Sequence, residues 1–178
     1  MKKIAIALMA ILFAFSIMAC TDNKKENETS SETEHTHTSS AELPDNLEPA
    51  KNPKYMDGSS VIIKADHMKG MDGAEATVLS SFDTTAYVVS YTPTTGGEKV
   101  NNHKWVIQEE IKDAGNKELA PGTEVTLLAD HMEGMKGATA EIESAEKTTV
   151  YMVDYTPTTG GKKVTNHKWV TEEELYVE

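Results

Sequence analysis

The chain has 178 residues, one cysteine and a formal net charge of −12, with 29 acidic against 17 basic side chains. So acidic a balance lacks the basic patch that phosphate neutralisation needs, which argues against nucleic acid as a partner. One cysteine gives neither an intrachain disulfide framework nor a CxxC redox or metal pair.

Lys2 and Lys3 precede the apolar run "IAIALMAILFAFSIM", which has the length of a signal h-region and is short for a membrane span. The run leads into "IMAC", Ile17 to Cys20, which resembles a bacterial lipobox even though Met18 is bulkier than the usual small residue. That likeness makes residues 1–19 a lipoprotein signal peptide and Cys20 the site of diacylglyceryl attachment. Two acyl chains hold a protein at a membrane far more firmly than one. The alternative for Cys20 is an ordinary buried thiol. Without the leader, 15 lysines and no arginine face 29 acids, a formal charge of −14, so the surface attracts cations non-specifically.

Residues 20–54 contain no aromatic and no β-branched apolar side chain. Such a segment cannot bury enough surface to offset its ordering entropy and is expected to be a disordered acidic tether. His35 and His37 lie in it as an incidental exposed pair.

From Tyr55 onward the chain repeats itself. "DHMKGMDGA" at 66–74 returns as "DHMEGMKGA" at 130–138, and "YTPTTGGEKVNNHKWV" at 91–106 as "YTPTTGGKKVTNHKWV" at 155–170. The offset is 64 throughout. This defines repeat 1 (55–115) and repeat 2 (116–178), joined near "KDAGNKELAPG", where Gly and Pro interrupt the periodicity.

Each repeat reads as β. In repeat 1 the strand candidates are 61–65, 74–80, 85–92 and 103–106, followed by "QEEIKDA". In repeat 2 they are 124–129, 137–144, 148–156 and 167–170, then a helical turn "TEEEL" with Thr171 as its N-cap. "PTTGG" is a turn, with Pro fixing φ and Gly allowing positive φ. The expected architecture is all-β: two tandem small barrels, SH3-like, each with its own core anchored by Trp105 or Trp169. An OB-like or open-sheet arrangement is the alternative. Independent cores imply that residues 118–178 fold alone.

The segment "HMxGM" carries the chemistry. His67, Met68 and Met71 in repeat 1, and His131, Met132 and Met135 in repeat 2, sit at spacings that a tight bend places on one face, with Gly70 letting the chain tighten. Imidazole with thioether suits Cu(I), and imidazole also suits Cu(II). Zinc and hard cations gain little from thioethers. His103 and His167, from "NHKW", complete a candidate set if the fold brings them near, and Asp66 and Asp130 could orient the imidazoles. The competing reading makes the methionines core filler and His103 and His167 structural. Met152, whose counterpart is Val88, reads as packing, and "TEEE" as a solvated face with a cap.

The lipobox, the acidic tether and the doubled "DHMxGMxGA" and "YTPTTGGxKVxNHKWV" strings resemble the YdhK-type surface lipoproteins of Gram-positive bacteria, which include the copper-tolerance lipoproteins called CopL. The resemblance covers about 120 residues. It implies a copper-binding protein, lipid-anchored outside the cytoplasm. Beside copper ions and the membrane, cell-wall components or copper-export machinery are the candidate partners. No nucleophile elbow or substrate pocket marks an enzyme. The reading from a different class is a tandem SH3-like module that binds cell-wall glycan or peptide, which would need an exposed aromatic groove.

Overall fold

The computed structural model describes residues 40–177. The signal peptide, Cys20, His35, His37 and the first part of the tether lie outside them. Among the described residues there is no α-helix. The strands are β1 (Ser60–Ile63), β2 (Glu75–Tyr91), β3 (Val100–Ile107), β4 (Glu124–Thr126), β5 (Thr139–Tyr155), β6 (Val164–Thr171) and β7 (Leu175–Tyr176). Short 3-10 turns follow β3 at Gln108–Glu110 and β6 at Glu172–Glu174.

The all-β expectation holds, as does the tandem repeat. The strand lengths differ from the sequence reading. "SSFDTT" and "ESAEKTT" are polar enough to look like breaks, yet each is the middle of a 17-residue strand. The reason is tertiary. β2 and β5 pair with each other antiparallel, from Ala76 opposite Tyr155 to Tyr91 opposite Ala140. Their polar middles lie side by side, where Thr149 Oγ1 donates to Asp83 Oδ1 at 2.9 Å. One seven-stranded sheet results, in the order β4-β5-β2-β1-β7, with β3 added to β2 and β6 to β5.

This pairing replaces the expected barrel-per-repeat, each with a private core. One cluster packs Val61, Ile63, Met71 and Val78 of repeat 1 with Tyr151, Val153, Tyr155 and Leu175 of repeat 2. A second packs Tyr87, Val89 and Val106 of repeat 1 with Leu127, Met135 and Ile142 of repeat 2. A long strand has two ends, so each half of β2 and β5 serves a different cluster. Trp105 and Trp169 anchor neither. Both belong to a third cluster with Phe82, Ala86, Val150 and Met152. Met152 is buried there, as its packing role requires.

The expected end of the tether also moves. Leu47 packs against the third cluster. Ala50 N–H donates to Ser81 O at 2.9 Å, and Pro49 bridges Phe82. Residues 47–54 are therefore docked on the sheet, held by backbone hydrogen bonds that composition alone does not reveal.

Candidate metal centre

Each HMxGM segment is a compact double turn. In repeat 1, Met71 N–H donates to Met68 O at 3.1 Å and Ala74 N–H to Met71 O at 3.0 Å. Repeat 2 reproduces both bonds, with Met135 to Met132 O and Ala138 to Met135 O. The "PTTGG" turn of the opposite repeat clamps each loop. Thr158 N–H donates to Gly70 O at 2.8 Å, and Thr94 N–H to Gly134 O at 2.8 Å. Gly70 has φ +78°, and a Cβ there would lie 2.5 Å from Thr159 Oγ1, 3.1 Å from Pro157 Cβ and 3.2 Å from Thr159 N. Gly134 repeats the arrangement against Thr95 and Pro93. Gly70→Ala or Gly134→Ala is expected to cost about 1–2 kcal/mol from the left-handed backbone alone, and more from the clamp. Urea denaturation midpoints check this; a variant as stable as the parent would refute the tight clamp.

The histidines meet carboxylates that the sequence reading missed. His131 Nε2 lies 2.7 Å from Glu110 Oε1, and Trp169 Nε1–H donates to Glu110 Oε2 at 3.0 Å. His67 Nε2 lies 2.7 Å from Glu174 Oε1, and Trp105 Nε1–H donates to Glu174 Oε2 at 2.8 Å. In each triad the His and Trp come from one repeat and the Glu from the other. The acids counted as a solvated face thus contribute one inward residue per repeat. The available signal was positional: Glu110 and Glu174 are 64 apart, each the third residue of its 3-10 turn. Each also caps its own turn, accepting from Ile107 N–H at 3.2 Å or Thr171 N–H at 3.0 Å. The peptides Lys104–Trp105 and Lys168–Trp169, which lead into the two indoles, are both cis.

Burial pushes Glu110 up, but its electrostatic attraction to His131, with hydrogen bonds from His131, Trp169 and Ile107, outweighs it and holds the carboxyl below the ordinary range. Glu174 is likewise held low: burial opposes, while the hydrogen bond and electrostatic attraction to His67, the Thr171 N–H and the Trp105 indole prevail.

The structure separates the remaining candidates. Met71 and Met135 are fully buried in the first and second clusters, each among apolar neighbours. Met132 is 7% exposed, and Met68 is half-buried at the edge of its cluster, with the Tyr155 hydroxyl 3.7 Å from its sulfur. His103 approaches the loop of the other repeat, its ring centroid 6.2 Å from that of His131 and 5.9 Å from Tyr91. His167 stands edge-on to Tyr155 at 5.6 Å. Burial pushes the Tyr91 hydroxyl up to about 12. Asp66 and Asp130 are exposed, and the imidazole Nε2 atoms turn to Glu174 and Glu110 instead. The Nδ1 atoms of His67 and His131 are buried with no hydrogen-bond partner in the protein. Among the described residues no three His, Cys, Asp or Glu side chains group as a metal cage.

A family model described as "Protein of unknown function (DUF1541)" matches the chain twice, at residues 57–108 and 121–172. The uncharacterized protein YdhK of Bacillus subtilis (strain 168) is 59% identical over 182 residues, covering 98% of this chain and 89% of that protein. A crystal structure of a DUF1541 family protein (ydhK) from the same organism matches with 70% identity and a TM-score of 0.76, over 78% of this chain and 95% of that one. A solution NMR structure of the ydhK C-terminal domain from B. subtilis matches with 74% identity and a TM-score of 0.64, over 68% of this chain and 92% of that one. That share of this chain exceeds what either repeat occupies, so the solved unit spans both.

Proposed function

The chain belongs to the DUF1541 family, and on that footing we propose that it is a copper-binding protein, lipid-anchored through Cys20 on the outer face of the cell membrane. It sequesters copper there and contributes to copper tolerance as a binding protein rather than an enzyme. The observation that carries the reading is the pair of buried, partnerless Nδ1 atoms at His67 and His131. Buried polar atoms without a partner call for an explanation, and these two recur at equivalent positions of the two repeats. Each belongs to an imidazole whose other nitrogen meets a carboxylate, an arrangement that orients histidine toward metals. Each is followed in sequence by a methionine, Met68 or Met132, and imidazole with thioether is a donor set that favours Cu(I) over zinc or hard cations. His103 and His167 are the further imidazoles of the proposed sites. Met71 and Met135, enclosed in the apolar clusters, serve mainly to pack the loops.

The glycan- or peptide-binding alternative calls for exposed aromatic side chains. Among the described residues Tyr176 is the one exposed aromatic side chain. Copper-export machinery is the partner such a protein would serve, with cell-wall components as its surroundings.

Titration of the soluble chain from Thr21 with Cu(I), Cu(II) and Zn(II), against a competing chelator, tests the reading. Cu(I) is expected to bind most tightly, and a chain that takes no Cu(I) from the chelator would overturn it. The anchor has its own test. Cys20→Ala is expected to appear as unprocessed precursor or in the medium, and normal processing with tight membrane retention would count against lipidation.

A further inference from the structure

We infer that Glu110 and Glu174 are positioning residues: each fixes the Nε2–H tautomer of the histidine opposite it, so that Nδ1 is the atom each HMxGM loop offers to a soft cation. The inference rests on the copper reading for the cation, but not for the tautomer.

The geometry is the same in both halves. One carboxylate oxygen lies 2.7 Å from Nε2 of His131 or His67. The other oxygen takes an indole N–H at 3.0 Å or 2.8 Å and a backbone N–H at 3.2 Å or 3.0 Å. Two fixed donors hold the carboxylate in place, leaving it one orientation toward the imidazole. A ring nitrogen facing a carboxylate carries the proton, and the choice at one nitrogen settles the other. The opposite tautomer would aim a lone pair at the carboxylate and bury an Nδ1–H without an acceptor, since Nδ1 has no partner in the protein at either site. The burial is close: the side chain of His131 is 3% exposed and that of His67 is 4%.

The carboxylate always comes from the opposite repeat. Glu110 lies in repeat 1 and serves the loop of repeat 2, and Glu174 the reverse. Neither repeat alone holds an oriented histidine, so the duplication is part of the site itself. The indoles of Trp105 and Trp169 take part by pinning the carboxylates.

Long-range ¹H–¹⁵N correlation spectra of the histidine-labelled chain from Thr21, at neutral pH and without metal, read the tautomers directly. His67 and His131 are expected as Nε2–H. Glu110→Gln offers one oxygen to three donors, His131, Trp169 and the Ile107 N–H. It is expected to mix the tautomers of His131 and leave His67 unchanged, and Glu174→Gln to do the converse. On adding Cu(I), Nδ1 of each histidine should shift while Nε2–H persists, and Glu110→Gln should weaken binding at His131 by about 10–100-fold. An Nδ1–H in the metal-free parent, or Cu(I) shifting Nε2 instead, overturns the inference. If the tautomers are as expected and Cu(I) moves no imidazole nitrogen, the donor assignment falls with the copper reading. That failure is distinct from a wrong tautomer, which is read without metal. If a Gln variant fails to fold, the parent spectra decide.

Discussion

Residues 116–178 made alone are expected not to form a folded monomer. In the intact chain β5 pairs with β2 along 15 residues of register, and that partner would be missing. Leu127, Met135 and Ile142 would lose Tyr87, Val89 and Val106, while Tyr151, Tyr155 and Leu175 would lose Val61, Ile63 and Val78. Gly134 O would lose the Thr94 N–H, and His131 would lose Glu110. What remains is a 17-residue strand with an unpaired edge and half of each apolar cluster. Such an edge recruits another chain, and a fragment this small has little core to spare. Size-exclusion chromatography with light scattering, together with amide spectra, should find an unfolded, dimeric or aggregated species. Adding residues 40–115 should restore the dispersed spectrum of the intact protein. A dispersed spectrum from monomeric 116–178 would show that the clusters are not shared in the way described.

That expectation reverses what the repeat suggests, and the reversal has a physical cause. A duplication of about 60 residues identifies a unit of sequence, and a unit of sequence need not be a unit of folding. Alternation in "TTVYMVDYT" correctly marks a half-buried strand, and Val61–Ala65 lands within two residues of β1. Local pattern could not show that "SSFDTT" continues the strand, because its extended conformation is imposed by β5 from the other repeat. The same limit applies at the site. The HMxGM loops, their tight turns and the role of Gly70 were legible, since glycine spacing and φ are local. Glu110 and Glu174 were hidden among neighbouring acids because their burial depends on His131 and His67, at 21 and 107 positions' distance. Met71 looked polar by its neighbours, yet a turn bonded to Met68 O carries it into the first cluster.

Glu110→Ala should be among the most damaging single substitutions. A buried donor left without its acceptor costs about 1–3 kcal/mol, and here the loss strands the His131 Nε2–H, the Trp169 indole N–H and the Ile107 N–H together. Glu174→Ala should cost less, because the side chain of Glu174 is 14% exposed against 5% for Glu110, so water can partly replace it. Urea denaturation at neutral pH should rank the parent above Glu174→Ala and that above Glu110→Ala. The pH dependence follows from the direction of the carboxyl shifts. Both carboxyls titrate below the ordinary value of 4.5 in the folded protein. Their contribution is therefore fully present above that value and is lost as the pH falls through the lower folded values. The parent should weaken in acid more steeply than either variant, and the gap between parent and Glu110→Ala should narrow there. A gap that stays constant into strong acid would mean that Glu110 acts by filling space rather than by charge, since only the ionised carboxylate can accept from His131, Trp169 and Ile107 together.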